Sequence, residues 1–118
     1  MYRSYFTDDA LENIKKLPKA IRKSLKQEFQ KKIHVNPIDC SEPLSKPLQN
    51  FRSFHFGDYR VMYQVFNDLK AVSVVGVGKK DRHHRSEIYR QLEVLAERGK
   101  LAAAVLDTLR TISGKEKS

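Results

Sequence analysis

Residues 51 to 79 hold three strand-like runs in close succession, and this meander constrains the fold more than any other part of the chain. The first run, 51–56, alternates. Phe51, Ser53 and His55 fall on one face, and Arg52, Phe54 and Phe56 on the other. Gly57-Asp58 turns the chain into Tyr59 to Phe66, and Asn67-Asp68 turns it again into a Val-rich run, Lys70 to Val77. The last run reads as a central strand buried on both faces.

The segments on either side are helical in pattern. Tyr2 to Phe6 suits a short strand. Thr7 is an N-cap candidate, with Asp8, Asp9 and Glu12 at the positive end of a helix whose buried stripe is Ala10, Leu11, Ile14 and Leu17. Pro18 ends that helix or opens the next. The second helix is expected to run to about His34, with Ile21, Leu25, Phe29 and Ile33 facing the sheet and a lysine-rich opposite face. Residues 36–47 contain Pro37, Pro43 and Pro47 and read as an irregular connector. After the meander, Ser86 is expected to cap a helix carrying Ile88, Leu92 and Leu95, and Gly99 breaks it. A last helix presents Leu101, Val105, Leu109 and Ile112, and the tail GKEKS is expected to fray. The expected fold class is α+β: an N-terminal strand and helical hairpin packed on a mostly antiparallel sheet of about four strands, plus C-terminal helices.

A chain of 118 residues is expected to be one domain, 1–118, able to bury roughly two thirds of its unfolded surface. Cys40 is the single cysteine, so no internal disulfide forms, which fits a reducing cytosol. The start, MYRSYFTDDA, has acids by position 8 and no signal-peptide core, and the longest apolar run, 71–77, is too short to span a bilayer. The formal net charge of +9 attracts nucleic acid, an acidic protein or an anionic surface, and a basic footprint this strong favours nucleic acid.

The chemistry-bearing residues gather at one end of the meander. Arg60 lies one residue inside an apolar strand. Burying an unpaired guanidinium is too costly, so it must reach solvent, a carboxylate such as Asp58 or Glu87, or a bound anion. The run Lys79-Lys80-Asp81-Arg82-His83-His84-Arg85 leaves the end of the central strand, and such a loop is either a solvated charge run or a phosphate cradle. A tight Asn67-Asp68 hairpin brings it to the same sheet edge as Arg60. His55 points from that end and titrates near neutrality, so it is a candidate acid or base as well as a plain strand residue. Tyr89 either stacks on a base or orients a phosphate, or else is a half-buried core tyrosine. Adjacent His83 and His84 lack metal-pair spacing, and no cysteine or acid pattern completes a set, so no metal and no cofactor is expected.

The segments GDYRVMYQV (57–65), VVGVGKKDR (74–82) and SEIY (86–89), in this order after a helix pair and a Pro-rich connector, resemble the RelE/ParE superfamily of toxins from toxin–antitoxin systems. The resemblance covers residues 2 to about 92 and leaves 93–118 as an extension. It implies a compact ribonuclease that cuts messenger RNA in the ribosomal A site (the RelE branch) or a gyrase poison without nuclease activity (the ParE branch), with RelE favoured; a decayed member that only binds its antitoxin is a third reading. It implies a phosphate contact for Arg60, leaving-group assistance from Lys80 with Arg82 two residues on, and an orienting or stacking role for Tyr89. Where RelE-like chains carry a lysine pair on the strand before the turn, this chain has Arg52 and His55, so the base is His55 or Lys80. The HHR stretch looks like an insertion, and Arg52, Lys79, His83, His84 and Arg85 are expected to bind RNA. The resemblance further implies a cognate acidic antitoxin, action on ribosome and mRNA in the cytoplasm, and no membrane.

Overall fold

The computed structural model describes residues 1–79 and 87–117, with the side chains of 87, 88 and 111–117 excepted. In chain order the elements are β1 (Arg3–Phe6), α1 (Asp8–Lys15), α2 (Lys19–Glu28), a π-helical turn (Phe29–Ile33), β2 (Glu42–Pro43), β3 (Arg52–Phe56), β4 (Tyr59–Phe66), β5 (Ala71–Lys79), α3 (Glu87–Glu97) and α4 (Lys100–Lys117). The fold class is α+β. The sheet order is β1-β5-β4-β3-β2, antiparallel except for the parallel β1–β5 pair. The described residues thus form five strands rather than about four. The extra one, β2, is a two-residue edge strand inside the Pro-rich connector, too short to leave a periodic signal.

The sheet is covered on both faces. On one, Phe54, Val61, Tyr63, Val72, Val74 and Val77 pack under Ala10 of α1, Leu25 of α2, and Phe29 and Ile33 of the π-turn. On the other, Met62 and Val75 pack under Leu92 of α3 and Leu101 and Val105 of α4, with Leu48 and Phe51 beside them. A register shift between β4 and β5 at Met62/Tyr63 lets Val74 and Val77, three residues apart, serve the same face. Among the described residues no helix is long and apolar enough to cross a membrane.

Local details follow from simple causes. Thr7 caps α1, its Oγ1 accepting from Ala10 N–H at 3.1 Å. α1 lies along β5 beyond the end of β1, where Asn13 Oδ1 accepts from Val77 N–H at 3.1 Å and closes that open edge. Leu11 does not join the expected stripe: it is 43% exposed, because Ala10, Ile14 and Leu17 already fill the narrow contact. α2 ends at Glu28, earlier than expected, and the chain widens into the π-turn, where His34 N–H donates to Phe29 O at 2.8 Å. Apolar residues every four positions drift about 40° per step around an α-helix. The wider turn offsets that drift and keeps Phe29 and Ile33 on the core.

Gly99, at φ +72°, separates α3 from α4. α4 then folds back on the sheet and continues to Lys117 instead of fraying at residue 114. Leu101 and Val105 are buried as expected and Leu109 partly so, while the Ile112 side chain lies outside the described set. Thr108 is also buried and meets Ser73 of the central strand, hydroxyl to hydroxyl at 2.8 Å.

Candidate functional site

The β3–β4 ladder pairs His55 directly with Arg60, and the β4–β5 ladder pairs Arg60 with Gly78. Directly opposed residues share a face, so His55 and Arg60 stand together on the α3/α4 side. Gly78 and Gly76, opposite Arg60 and Met62, carry no side chains, so β5 adds no bulk there. The Arg60 guanidinium folds back over the turn. Its Nη1 donates to Gly57 O at 2.9 Å and Tyr59 O at 2.8 Å. Its Nε is out of solvent and has no hydrogen-bond partner among the described residues, a cost that a bound anion would remove. Gly57 itself takes φ +56°, the left-handed conformation this turn requires.

His55 Nε2 lies 4.0 Å from Glu42 Oε2 on β2, and both side chains are substantially exposed. Two residues earlier on the same face, Ser53 is buried and its Oγ meets the Tyr89 hydroxyl at 2.9 Å. Tyr89 is half-buried against the second core cluster, so it combines a packing role with a hydroxyl fixed beside the His55–Arg60 pair. A cavity of about 240 Å³, lined by Asp39, Cys40, Ser41, Glu42, Ser53 and His55, opens at this end of the sheet.

Arg52 faces the other way. Its Nε donates to Ser41 Oγ at 2.7 Å, and its Nη2 to Ser41 O at 2.9 Å and Ile38 O at 3.1 Å. It holds the connector rather than joining His55 and Arg60. Lys79, the last residue of β5, is exposed opposite Tyr59. Lys80, Arg82, His83, His84 and Arg85, with the cap Ser86, lie outside the described residues. Among the described residues no three His, Cys, Asp or Glu side chains are grouped to hold a metal.

Glu42 and Ser53 were not singled out from sequence. Ser53 shares the alternation face of His55, which was visible, but its partner is 36 residues away. Glu42 sits between prolines, where no local pattern shows that it enters a strand.

A second feature lies on the hairpin side. Ser4, Phe6, Ile14, Arg22, Leu25, Lys26, Phe29, Gln30 and His34 line a mostly apolar groove of about 360 Å³ between β1 and α2. Its wall includes a 2.7 Å hydrogen bond between Ser4 Oγ and His34 Nε2, and burial holds the His34 imidazole below its usual pKa. Under the connector, burial pushes the Tyr63 phenol well above its ordinary value, and its hydroxyl donates to Pro37 O at 2.6 Å.

Residues 5–84 match the family described as ParE toxin of the type II toxin–antitoxin system. A putative RelE-like toxin protein from Escherichia coli is 33% identical over 92 residues, which cover 75% of this chain and 90% of that one. The Escherichia coli mRNA interferase toxin RelE is 29% identical over 84 residues, 71% of this chain and 85% of its own. The intact Escherichia coli RelBE toxin–antitoxin complex contains a chain that superposes with a TM-score of 0.57 at 26% identity, over 70% of this chain and 100% of that one.

Proposed function

The chain belongs to the RelE/ParE family of type II toxin–antitoxin toxins, and from that footing we propose that it is an endoribonuclease that cuts messenger RNA on the ribosome. The observation that carries this reading is the pairing of His55 with Arg60 on one face, where Arg60 keeps a buried Nε–H that no described residue accepts. A base beside a fixed cation is what attack of a ribose 2′-oxygen on its own 3′-phosphate requires. His55 or Lys80 takes the 2′-OH proton as the new O–P bond forms. Arg60 stabilises the phosphorane, and Lys80 and Arg82 assist as the bond to the 5′-oxygen breaks. The products are a 2′,3′-cyclic phosphate and a 5′-hydroxyl. Tyr89 stacks on or orients a base, and Lys79, His83, His84 and Arg85 bind neighbouring phosphates. Arg52 contributes through the connector it anchors.

In this reading the partners are ribosome and mRNA in the cytoplasm, with an acidic antitoxin as inhibitor. The relative in the RelBE complex is itself held by an antitoxin. The β1–α2 groove suits an acidic amphipathic segment of that partner, because its floor is apolar (Phe6, Ile14, Leu25, Phe29) and its rim carries Arg22 and Lys26.

The matched family is described by ParE, which favours a second reading: a gyrase inhibitor with no nuclease activity. Cell-free translation of a short message, followed by primer extension, separates the two. Cuts in the ribosomal A site support the first. Intact message together with loss of gyrase supercoiling establishes the second.

A further inference from the structure

The connector that carries Glu42 is fixed in detail. Tyr63 holds Pro37 through its carbonyl, and Arg52 holds both Ile38 and Ser41 with three donated hydrogen bonds. Ser41 Oγ in turn donates to Pro37 O at 2.6 Å. The next residue, Glu42, is then registered opposite Ser53, and Leu44 N–H donates to Phe51 O at 3.0 Å just beyond. Cross-strand partners share a face, and so do residues two apart on one strand. Glu42, Ser53 and His55 therefore stand together, with Glu42 Oε2 4.0 Å from His55 Nε2.

The Glu42 and His55 side chains are 78% and 49% exposed, and pairs this open contribute little to stability. Glu42 nevertheless sits beside a candidate base and is held there by a rigid segment. We propose that Glu42 is a positioning residue for His55, deepening the nuclease reading on which this rests. The carboxylate faces Nε2 at ion-pair distance, where its charge favours the imidazolium and biases how the ring is presented to the ribose 2′-OH.

Among the described residues, the charged and titratable groups around His55 come from four elements. They are Glu42 on β2, Asp39 and Cys40 across the cavity, Arg60 on β4, and Tyr89 on α3 through its bond to Ser53. Arg60 disfavours the imidazolium and Glu42 favours it. Glu42 offsets the guanidinium, so that His55 accepts a proton while Arg60 holds the phosphate. In the step itself the 2′-OH proton passes to the His55 imidazole, the 2′-oxygen–phosphorus bond forms, and the bond to the 5′-oxygen breaks. The leaving 5′-oxygen takes a proton from an ammonium, a guanidinium or water.

The test compares the full-length chain with Glu42→Gln and Glu42→Asp. Single-turnover cleavage of ribosome-bound message is followed across pH, alongside NMR titration of the His55 ring. Glu42→Gln should lower the neutral-pH rate about tenfold or more. It should also lower the His55 pKa, move the acid limb of the rate profile to lower pH, and leave the unfolding midpoint in place. Glu42→Asp should recover part of the rate. A Glu42→Gln protein with an unchanged rate and acid limb, or an unmoved His55 titration, overturns the role of Glu42 alone. A wild-type chain that makes no cut overturns the nuclease reading and the positioning role with it.

Discussion

The hydroxyls of Ser53 and Tyr89 meet at 2.9 Å, tying the first turns of α3 to the strand that carries His55. Ser53 is 2% exposed and Tyr89 half-buried, so this is a partly buried polar pair in which each hydroxyl answers the other. Removing one leaves its partner unsatisfied. Ser53→Ala and Tyr89→Phe should each cost about 1–2 kcal/mol of stability, and the double variant clearly less than their sum. Urea unfolding of the four proteins in a double-mutant cycle measures the coupling. Strict additivity would show that the hydroxyls do not interact in solution.

Arg60→Ala should leave a folded chain and lower cleavage roughly a hundredfold or more, the typical effect of losing one transition-state contact. Its two bonds to the Gly57 and Tyr59 carbonyls make a modest loss of stability expected as well. Circular dichroism and growth arrest at matched expression separate the two effects. Full toxicity in a folded Arg60→Ala protein would remove Arg60 from the site.

Stability should fall as pH drops below the ordinary histidine pKa of about 6.5. His34 is held below that value by burial, so between the two pKa values the unfolded chain binds the proton and the folded chain does not. The contribution is fully present above the unfolded value and is lost as pH falls through the folded one. Denaturant midpoints at pH 7.5 and pH 5.5 should differ more for the wild type than for His34→Gln. Equal pH dependence in both would place its origin elsewhere.

The C-terminal extension should matter for stability and not for cutting. Deleting residues 100–118 uncovers Met62, Val75 and Leu92, which Leu101 and Val105 now shield, so that chain should be poorly soluble. Thr108→Val is the gentler probe. It leaves the Ser73 hydroxyl of the central strand without its partner and should cost about 1–3 kcal/mol, with cleavage by the folded fraction retained. A stable Thr108→Val protein with lost cleavage would bring α4 into the site.

Antitoxin binding should be salt-sensitive and should respond to the groove rim. Reversing Arg22 and Lys26 to glutamate should weaken the complex, and raising salt should narrow the difference between variant and wild type, since exposed charges are screened within about 8–10 Å. Calorimetric titration at two ionic strengths reads both effects. Unchanged affinity in the double reversal would move the docking surface off this groove.

Local chemistry was sufficient to determine much of the protein. Thr7 as a cap, the Gly57-Asp58 turn and the burial of Val72, Val74 and Val75 all depend on neighbours a few residues apart, so period and turn residues carry them. The second turn is wider than the expected Asn67-Asp68 pair: it spans residues 67–70, with Lys70 at φ +50° ahead of a strand that begins at Ala71. The pairing of His55 with Arg60 was also legible, because a tight turn at Gly57-Asp58 leaves only one close register. Tertiary structure alone decided what depends on partners distant in sequence. It made Glu42 a strand residue beside His55, tied Arg52 to Ser41, and set Thr108 on Ser73. It also widened α2 into a π-turn, because the sheet beneath, not helix propensity, determines where Phe29 and Ile33 must point. A side chain's partner across the sheet is selected by burial and register over the whole chain, and no short window of sequence contains that information.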